Sequence, residues 1–297
     1  MNQPFNVVGL GEALWDIFPD SARFGGAPTN MACILSGIAK HDVSVKMISA
    51  VGKDTLGNDA IEALVKHNVD TSFIQVNAFP TGTVHINLDE LHQATYTFAE
   101  NSAWDHLVWD DQLQNIAKST QAVCFGSLAQ RNETTRTTIV NFLKAMPEDA
   151  IKVFDINLRP PFYTKDIILN SLNLANVLKL NEEELPYIAK LIGISGTDNN
   201  LLKEIQNRFE LTSIVFTKGE AGSILIHRDE LIEVPVIPTS VIDTVGAGDS
   251  FTAACIFGLL RNEKLADIAK FAANISSYVC SQRGATPELP QSTFVFN

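Results

Sequence analysis

Hydrophobic positions along the chain fall into two alternating patterns. Short, nearly continuous apolar runs rich in β-branched residues occur at FNVVGLG from Phe5, VKMISAVG from Val45 and AVCFG from Ala122. Further runs lie at IKVFDIN from Ile151, NVLKLN from Asn176 and SIVFTKG from Ser213. Between them lie stretches with apolar residues at helical spacing: NMACILSGIAK, TLGNDAIEALVKH, ETTRTTIVNFLKAM, NEEELPYIAKLI and NNLLKEIQNRF. Continuously apolar strands suit a parallel sheet covered on both faces. Strand and helix in alternation predict a doubly wound α/β fold with a mainly parallel sheet flanked by helices.

One region departs from this rhythm. Gly82–Phe98, GTVHINLDELHQATYTF, alternates apolar and polar residues on either side of a polar connection, which predicts a hairpin. GEALWDIFP near the start alternates in the same way. Together they predict a small β-layer, contributed by about 12–20 and 72–100, that projects from the main sheet. No Pro/Ser-rich linker, low-complexity tract or internal repeat divides the chain, so residues 1–297 read as one domain with a β-insertion.

Composition supports this picture and narrows the function. The 297 residues are 45% hydrophobic and 19% charged, enough for a large core. A net charge of −12 with no Lys/Arg cluster argues against a nucleic-acid partner. No apolar run is long enough to span a bilayer, and the start lacks the features of a signal peptide. Cys33, Cys124, Cys255 and Cys280 are widely spaced in apolar surroundings and read as reduced thiols of a cytoplasmic protein.

Several short segments break the core pattern with residues suited to chemistry. In IDTVGAGDSF, Gly246, Ala247 and Gly248 precede a helical run, so unpaired N–H groups and a positive dipole end would face an anion there. Asp249 beside such an anion can take the proton of an attacking hydroxyl, or it can simply cap the helix; from the segment alone the two readings are even. GGAPTNMA, from Gly25, opens the backbone before a helix that carries Asn30 in its first turn, where an amide can meet sugar hydroxyls. Gly11, Glu12 and Asp16 follow the first strand, at the edge where α/β sheets bind ligands. Asp155, Asn157 and Arg159 alternate off a strand end and are expected to point the same way, or the strand end makes only a salt bridge. Asn181 and Glu184 share a helical face suited to water around a hard divalent cation, or form an ordinary acidic helix start. TKGEAGSIL, from Thr217, is a strand–turn–strand whose glycines would admit a nucleotide, or an ordinary hairpin. There is no GxxxxGK[ST], and Leu14 stands where a GxGxxG motif needs its third glycine, so neither a P-loop nor a dinucleotide site is indicated.

Taken in order, these motifs resemble the ribokinase-like (PfkB) carbohydrate kinases over nearly the whole chain. The resemblance rests on GE…D, GGAPTN, GKDxxG from Gly52 to Gly57, the Asn181/Glu184 spacing, TKGEAG and DTVGAGDSF. Within that family GGAPTN, GSLA from Gly126 to Ala129 and FDINLRP are most similar to fructokinases, with Thr29 in place of an expected alanine. The resemblance implies an ATP-dependent kinase acting on the primary hydroxyl of D-fructose. Another sugar, a nucleoside or a non-catalytic sugar-binding role are the alternatives. It implies Asp249 as base and Gly246, Ala247 and Gly248 as an anion hole. Asp16, Gly26, Asn30 and Arg159 would hold the sugar, with Phe98 packing on it from a β-lid. Lys218, Gly219, Gly222, Gly248 and Asn274 would line the ATP site. Asn181 and Glu184 would orient hydrated Mg²⁺, and Asp243 and Val245 would supply oxygens to a monovalent cation such as K⁺. The lid's apolar face suggests a homodimer.

Overall fold

The computed structural model describes residues 3–88, 94–290 and 296; the predicted hairpin connection at 89–93 lies outside them. In chain order the elements are β1 (Phe5–Leu10), β2 (Leu14–Ile17), β3 (Ala22–Gly25), α1 (Ala27–Ala39), β4 (Val43–Gly52), α2 (Thr55–Lys66), β5 (Ile74–Asn77), β6 (Gly82–Leu88) and β7 (Ala94–Phe98). There follow α3 (Asp111–Ala117), β8 (Ala122–Gly126), α4 (Glu133–Ala145), β9 (Ile151–Asp155), α5 (Lys165–Leu174), β10 (Val177–Asn181) and α6 (Glu184–Ile192). The last are α7 (Asp198–Arg208), β11 (Ser213–Thr217), β12 (Ser223–His227), β13 (Glu230–Val234), α8 (Ala247–Leu260) and α9 (Leu265–Cys280).

The main sheet runs β13-β12-β11-β10-β9-β8-β1-β4-β5. Pairing is parallel from β11 to β5 and antiparallel where β12 and β13 close the edge. Strand side chains alternate between two cores. Val7, Cys124, Val153, Val177 and Val215 face α1, α8 and α9, whereas Val8, Phe125, Phe154, Leu178 and Phe216 face the side of α4 to α7. Burial on both faces explains why these strands read as continuous apolar runs. Strand order reverses at β1, which pairs with β4 on one side and β8 on the other. Ligands of such sheets bind beyond the carboxyl ends of the strands at this reversal.

The small sheet is ordered β3-β2-β6-β7. Its make-up differs from the expected one at two points. β3, a short strand with only one buried residue, joins it and has no clear alternation of its own in the sequence. β5, inside the expected range, instead pairs with β4 at the edge of the main sheet. The register places Arg23 opposite Asp16, Asp16 opposite Val84 and Val84 opposite Phe98, so these four side chains share one face. Val84 is 2% exposed within the core, which turns that face toward the main sheet. The opposite face is partly covered: Trp15 packs at 5.3 Å on Phe24 and donates from Nε1 to the Leu56 carbonyl at 2.9 Å.

Candidate active site

The starts of α1 and α8 meet at Asp249. Gly246 is the N-cap of α8 in the left-handed region (φ 79°), and a Cβ there would stand 2.6 Å from the Ala285 backbone, so only glycine makes this turn. Ala247, Gly248 and Asp249 then form the first helical turn, where backbone N–H groups have no intrahelical acceptor. Asp249 Oδ2 accepts from Asn30 Nδ2 at 2.8 Å, joining the start of α8 to that of α1. Burial, then the neighbouring Asp155, push the Asp249 carboxyl up from 3.8 to about 6, against the Asn30 hydrogen bond, Lys179 and Arg159.

The GGAPTN segment behaves as its glycines require. Gly26 has φ 112° and caps α1; a Cβ on it would lie 2.5 Å from the Glu12 carbonyl. A Cβ on Gly25 would be 3.5 Å from Asp16 Oδ2 and 3.6 Å from Asn30 Oδ1, so both groups border the same small space. Asn30 Oδ1 is buried and has no partner among the described residues, leaving an acceptor for a ligand hydroxyl. Burial raises the Asp16 carboxyl, while Arg159 and Arg23 pull it back. Burial also raises Glu12 to about 7, with Arg159 and Asp249 among the charges acting on it. The exposed Arg159 donates from Nη1 to the Leu158 carbonyl at 3.1 Å, and its charge lowers the carboxyls of Glu12, Asp16 and Asp249. Phe98 stands edge-on to Phe162 at 5.3 Å, on the face of the small sheet that it shares with Asp16.

The expected alternation of Asp155, Asn157 and Arg159 does not occur. β9 ends at Asp155, and Asn157 takes a positive φ of 42°, which turns the chain. Asp155 is instead buried against Lys179 at 3.2 Å.

A cavity of about 320 Å³ adjoins the start of α8. Gly219, Gly222, Pro235, Gly248, Phe251 and Ser277 are among its walls. Gly222 has φ 87°, and a Cβ there would collide with the Val234 carbonyl oxygen, so the turn after β11 keeps this wall low. Lys218 and Asn274 are half-buried and do not line the cavity; α9 contributes Ala273, Ser276, Ser277 and Cys280 instead. A larger cleft of about 700 Å³ lies at the opposite end of the sheet, by Phe5, Ile151 and Ser213, and holds none of the expected site residues.

Asn181 and Glu184 cap each other's backbone. Asn181 Oδ1 accepts from the N–H groups of Glu183 (2.9 Å) and Glu184 (3.0 Å), and Glu184 Oε2 accepts from Asn181 N–H at 2.8 Å. Glu184 Oε1 accepts from Leu158 N–H at 2.9 Å. Asn181 Oδ1 thus has both lone pairs engaged, whereas each Glu184 oxygen, with one bond, keeps capacity for a water of a hydrated cation. Among the described residues no group of three or more His, Cys, Asp and Glu forms a metal cluster. Asp243 is engaged more fully: Oδ2 accepts from Arg23 Nη1 (3.0 Å) and Gly284 N–H (3.1 Å), and Oδ1 from Val245 N–H (3.0 Å).

Sequence reasoning missed Arg23, whose bridge from lid to turn spans 220 positions and leaves no local signal. It also missed Lys179, although a lysine inside the apolar run VLKLN is a visible anomaly.

Comparison with known proteins places the chain in a family. Residues 20–292 match the pfkB family carbohydrate kinases. A fructokinase of Klebsiella pneumoniae is 30% identical over 95% of this chain and 95% of its own. The crystal structure of an uncharacterized sugar kinase from Pyrococcus horikoshii in complex with ATP superposes with a TM-score of 0.81 at 26% identity, covering 95% and 94% of the two chains. That of a Xylella fastidiosa fructokinase with bound ATP gives a TM-score of 0.84 at 20% identity, covering 96% and 95%. With a family match over most of its length and a relative 30% identical over 95% of it, this chain belongs to the pfkB family of carbohydrate kinases.

Proposed function

We propose that the protein transfers the γ-phosphoryl group of ATP to the primary hydroxyl of D-fructose, giving fructose 6-phosphate and ADP, with Asp249 as the base. The observation that carries this reading is the position of Asp249. Its carboxylate lies in the first turn of α8, where the Ala247 N–H bonds the Thr244 carbonyl at 3.2 Å and the Gly248 N–H lacks an intrahelical acceptor, and is held by Asn30 next to the space bordered by Asp16. A hydroxyl in that space would meet a proton acceptor on one side and an anion-binding turn on the other. As the hydroxyl oxygen bonds to phosphorus and the bond to ADP breaks, the proton passes to Asp249. The N–H groups at Gly246, Ala247 and Gly248 stabilise the charge on the transferring group. A carboxyl raised to about 6 is still ionised at neutral pH and more basic than an ordinary aspartate, as a base requires.

Asp16, Gly26, Asn30 and Arg159 would orient the sugar, with Phe98 covering it. The 320 Å³ cavity is large enough for a nucleotide base, with Gly219 and Gly222 admitting the nucleotide; Lys218 and Asn274 would contact the parts of ATP outside it. When bound, Mg²⁺ would neutralise phosphate charge; Asn181 and Glu184 would hold its water shell. A monovalent cation at Asp243 and Val245 would compete with Arg23 for the Asp243 carboxylate. The lid's outer face is the candidate surface for a homodimer. Fructose as acceptor is supported by the fructokinase at 30% identity. Calorimetry on Asp249→Asn tests the assignment of the base: ATP and fructose binding should persist while turnover falls on the order of 10²–10⁴-fold. Near wild-type kcat in that variant would remove Asp249 from the mechanism.

A further inference from the structure

Lys179 is a charge where packing and electrostatics both disfavour one. It stands between Leu178 and Leu180 in β10, and its side chain is 7% exposed. On its face of the sheet the neighbouring position, Val177, packs into the core beneath α1, α8 and α9. Its partner across the parallel ladder is Asp155, 3.2 Å away, whose other oxygen accepts from Thr252 Oγ1 of α8 at 3.3 Å. A Cβ on Gly248 would lie 3.0 Å from Lys179 Nζ. The ammonium therefore sits directly behind the second residue of α8.

A helix N-terminus already carries partial positive charge, and a cation there is unfavourable. Burying an ion pair is seldom more stable than an apolar pair of the same volume. The arrangement therefore calls for a reason other than stability. Asp155, Glu184 and Asp249 surround the ammonium from β9, α6 and α8; burial pulls it down, but these three carboxylates hold it above the ordinary lysine value. It stays charged under any working condition.

We propose that Lys179 is a positioning residue for phosphoryl transfer: from behind the Gly246–Gly248 turn it adds positive potential where negative charge gathers on the transferring group, without touching substrate. The inference rests on the kinase reading above. Asp155 pairs with Lys179 by charge at 3.2 Å, and the missing side chain of Gly248 brings the ammonium against the turn. A charge in this dry, fixed setting favours the transition state over the bound ground state, so its removal should appear in kcat rather than in KM.

The experiment uses Lys179→Met and the double variant Lys179→Met/Asp155→Asn, which removes the pair without leaving a lone buried carboxylate. Four quantities are read: thermal stability, kcat, fructose KM, and affinities for ADP alone and for ADP with magnesium and aluminium fluoride, a mimic of the transferring phosphoryl. Both variants should lose about 10- to 100-fold in kcat and a similar factor in affinity for the fluoride complex. ADP affinity and fructose KM should stay within about twofold on the same reasoning. A folded double variant with wild-type kcat, or equal losses for ADP and its fluoride complex, would overturn the inference while leaving the kinase reading intact. If the wild type itself consumes no ATP with any sugar, the kinase reading falls and this inference with it.

Discussion

Replacing Asp249 by asparagine should stabilise the protein while it disables it. Burial and the nearby Asp155 raise the carboxyl from 3.8 to about 6, so at neutral pH the folded state holds an ionised group that it disfavours. A rise of about two pH units corresponds to about 3 kcal/mol in the difference between protonation states. Because the group is partly accessible, a gain of about 1–3 kcal/mol is expected on neutralising it. The sign follows from linkage. A carboxyl whose folded value is raised binds protons more tightly when folded, so its contribution is most favourable below pH 3.8 and is lost as pH rises through about 6. Asp249→Asn removes that loss. The variant should melt about 2–6 °C higher at pH 8, and the gain should vanish toward pH 4. The assay is thermal denaturation at several pH values, with kcat/KM measured on the same preparations. In the wild type kcat/KM should fall as pH drops below about 6, as the base becomes protonated. A variant that melts lower than wild type at pH 8, or a shift that does not depend on pH, would refute the description of Asp249 as a buried, destabilised base.

Other perturbations test the rest of the site. Gly246→Ala forces a side chain onto a φ of 79° and against the Ala285 backbone; a stability loss of about 1–3 kcal/mol with a larger fall in kcat than in ATP affinity is expected, seen by melting and steady-state kinetics. Glu184→Gln should raise the magnesium concentration for half-maximal rate more than the fructose KM, whereas equal shifts would leave only the capping role visible at Asn181 and Leu158. Phe98→Ala should raise the fructose KM and the ratio of ATP hydrolysed to sugar phosphorylated, because a thinner cover admits water; unchanged coupling would mean that the hairpin does not act as a lid.

The parts of the fold that could be read from sequence are those fixed by local periodicity. β1, β4, β8, β9, β10 and β11 carry continuous apolar runs because both their faces are buried, and the segments around Asn30 and Asp249 announce themselves by glycines that a packed core would not use. β3 escaped because four residues with a single buried position carry no usable period. β5 was drawn toward the lid because the polar and apolar residues of a sheet edge resemble those of a hairpin. At Asn157 a single left-handed residue undid an alternation that the letters alone supported. Contacts between distant segments were beyond reach for a different reason. Arg23 with Asp243, and Lys179 with Gly248, are consequences of tertiary packing that no local pattern encodes.

The central claim is that this site phosphorylates a sugar hydroxyl, and that the sugar is fructose. Its most direct test is ATP consumption by the full-length protein with magnesium against a panel of hexoses, pentoses and nucleosides, with the position of the new phosphate read by ³¹P and ¹³C NMR. The account predicts the highest kcat/KM for D-fructose and a single product phosphorylated at O6. A higher kcat/KM for another acceptor, or no sugar-dependent ATP consumption by the folded protein, would contradict it.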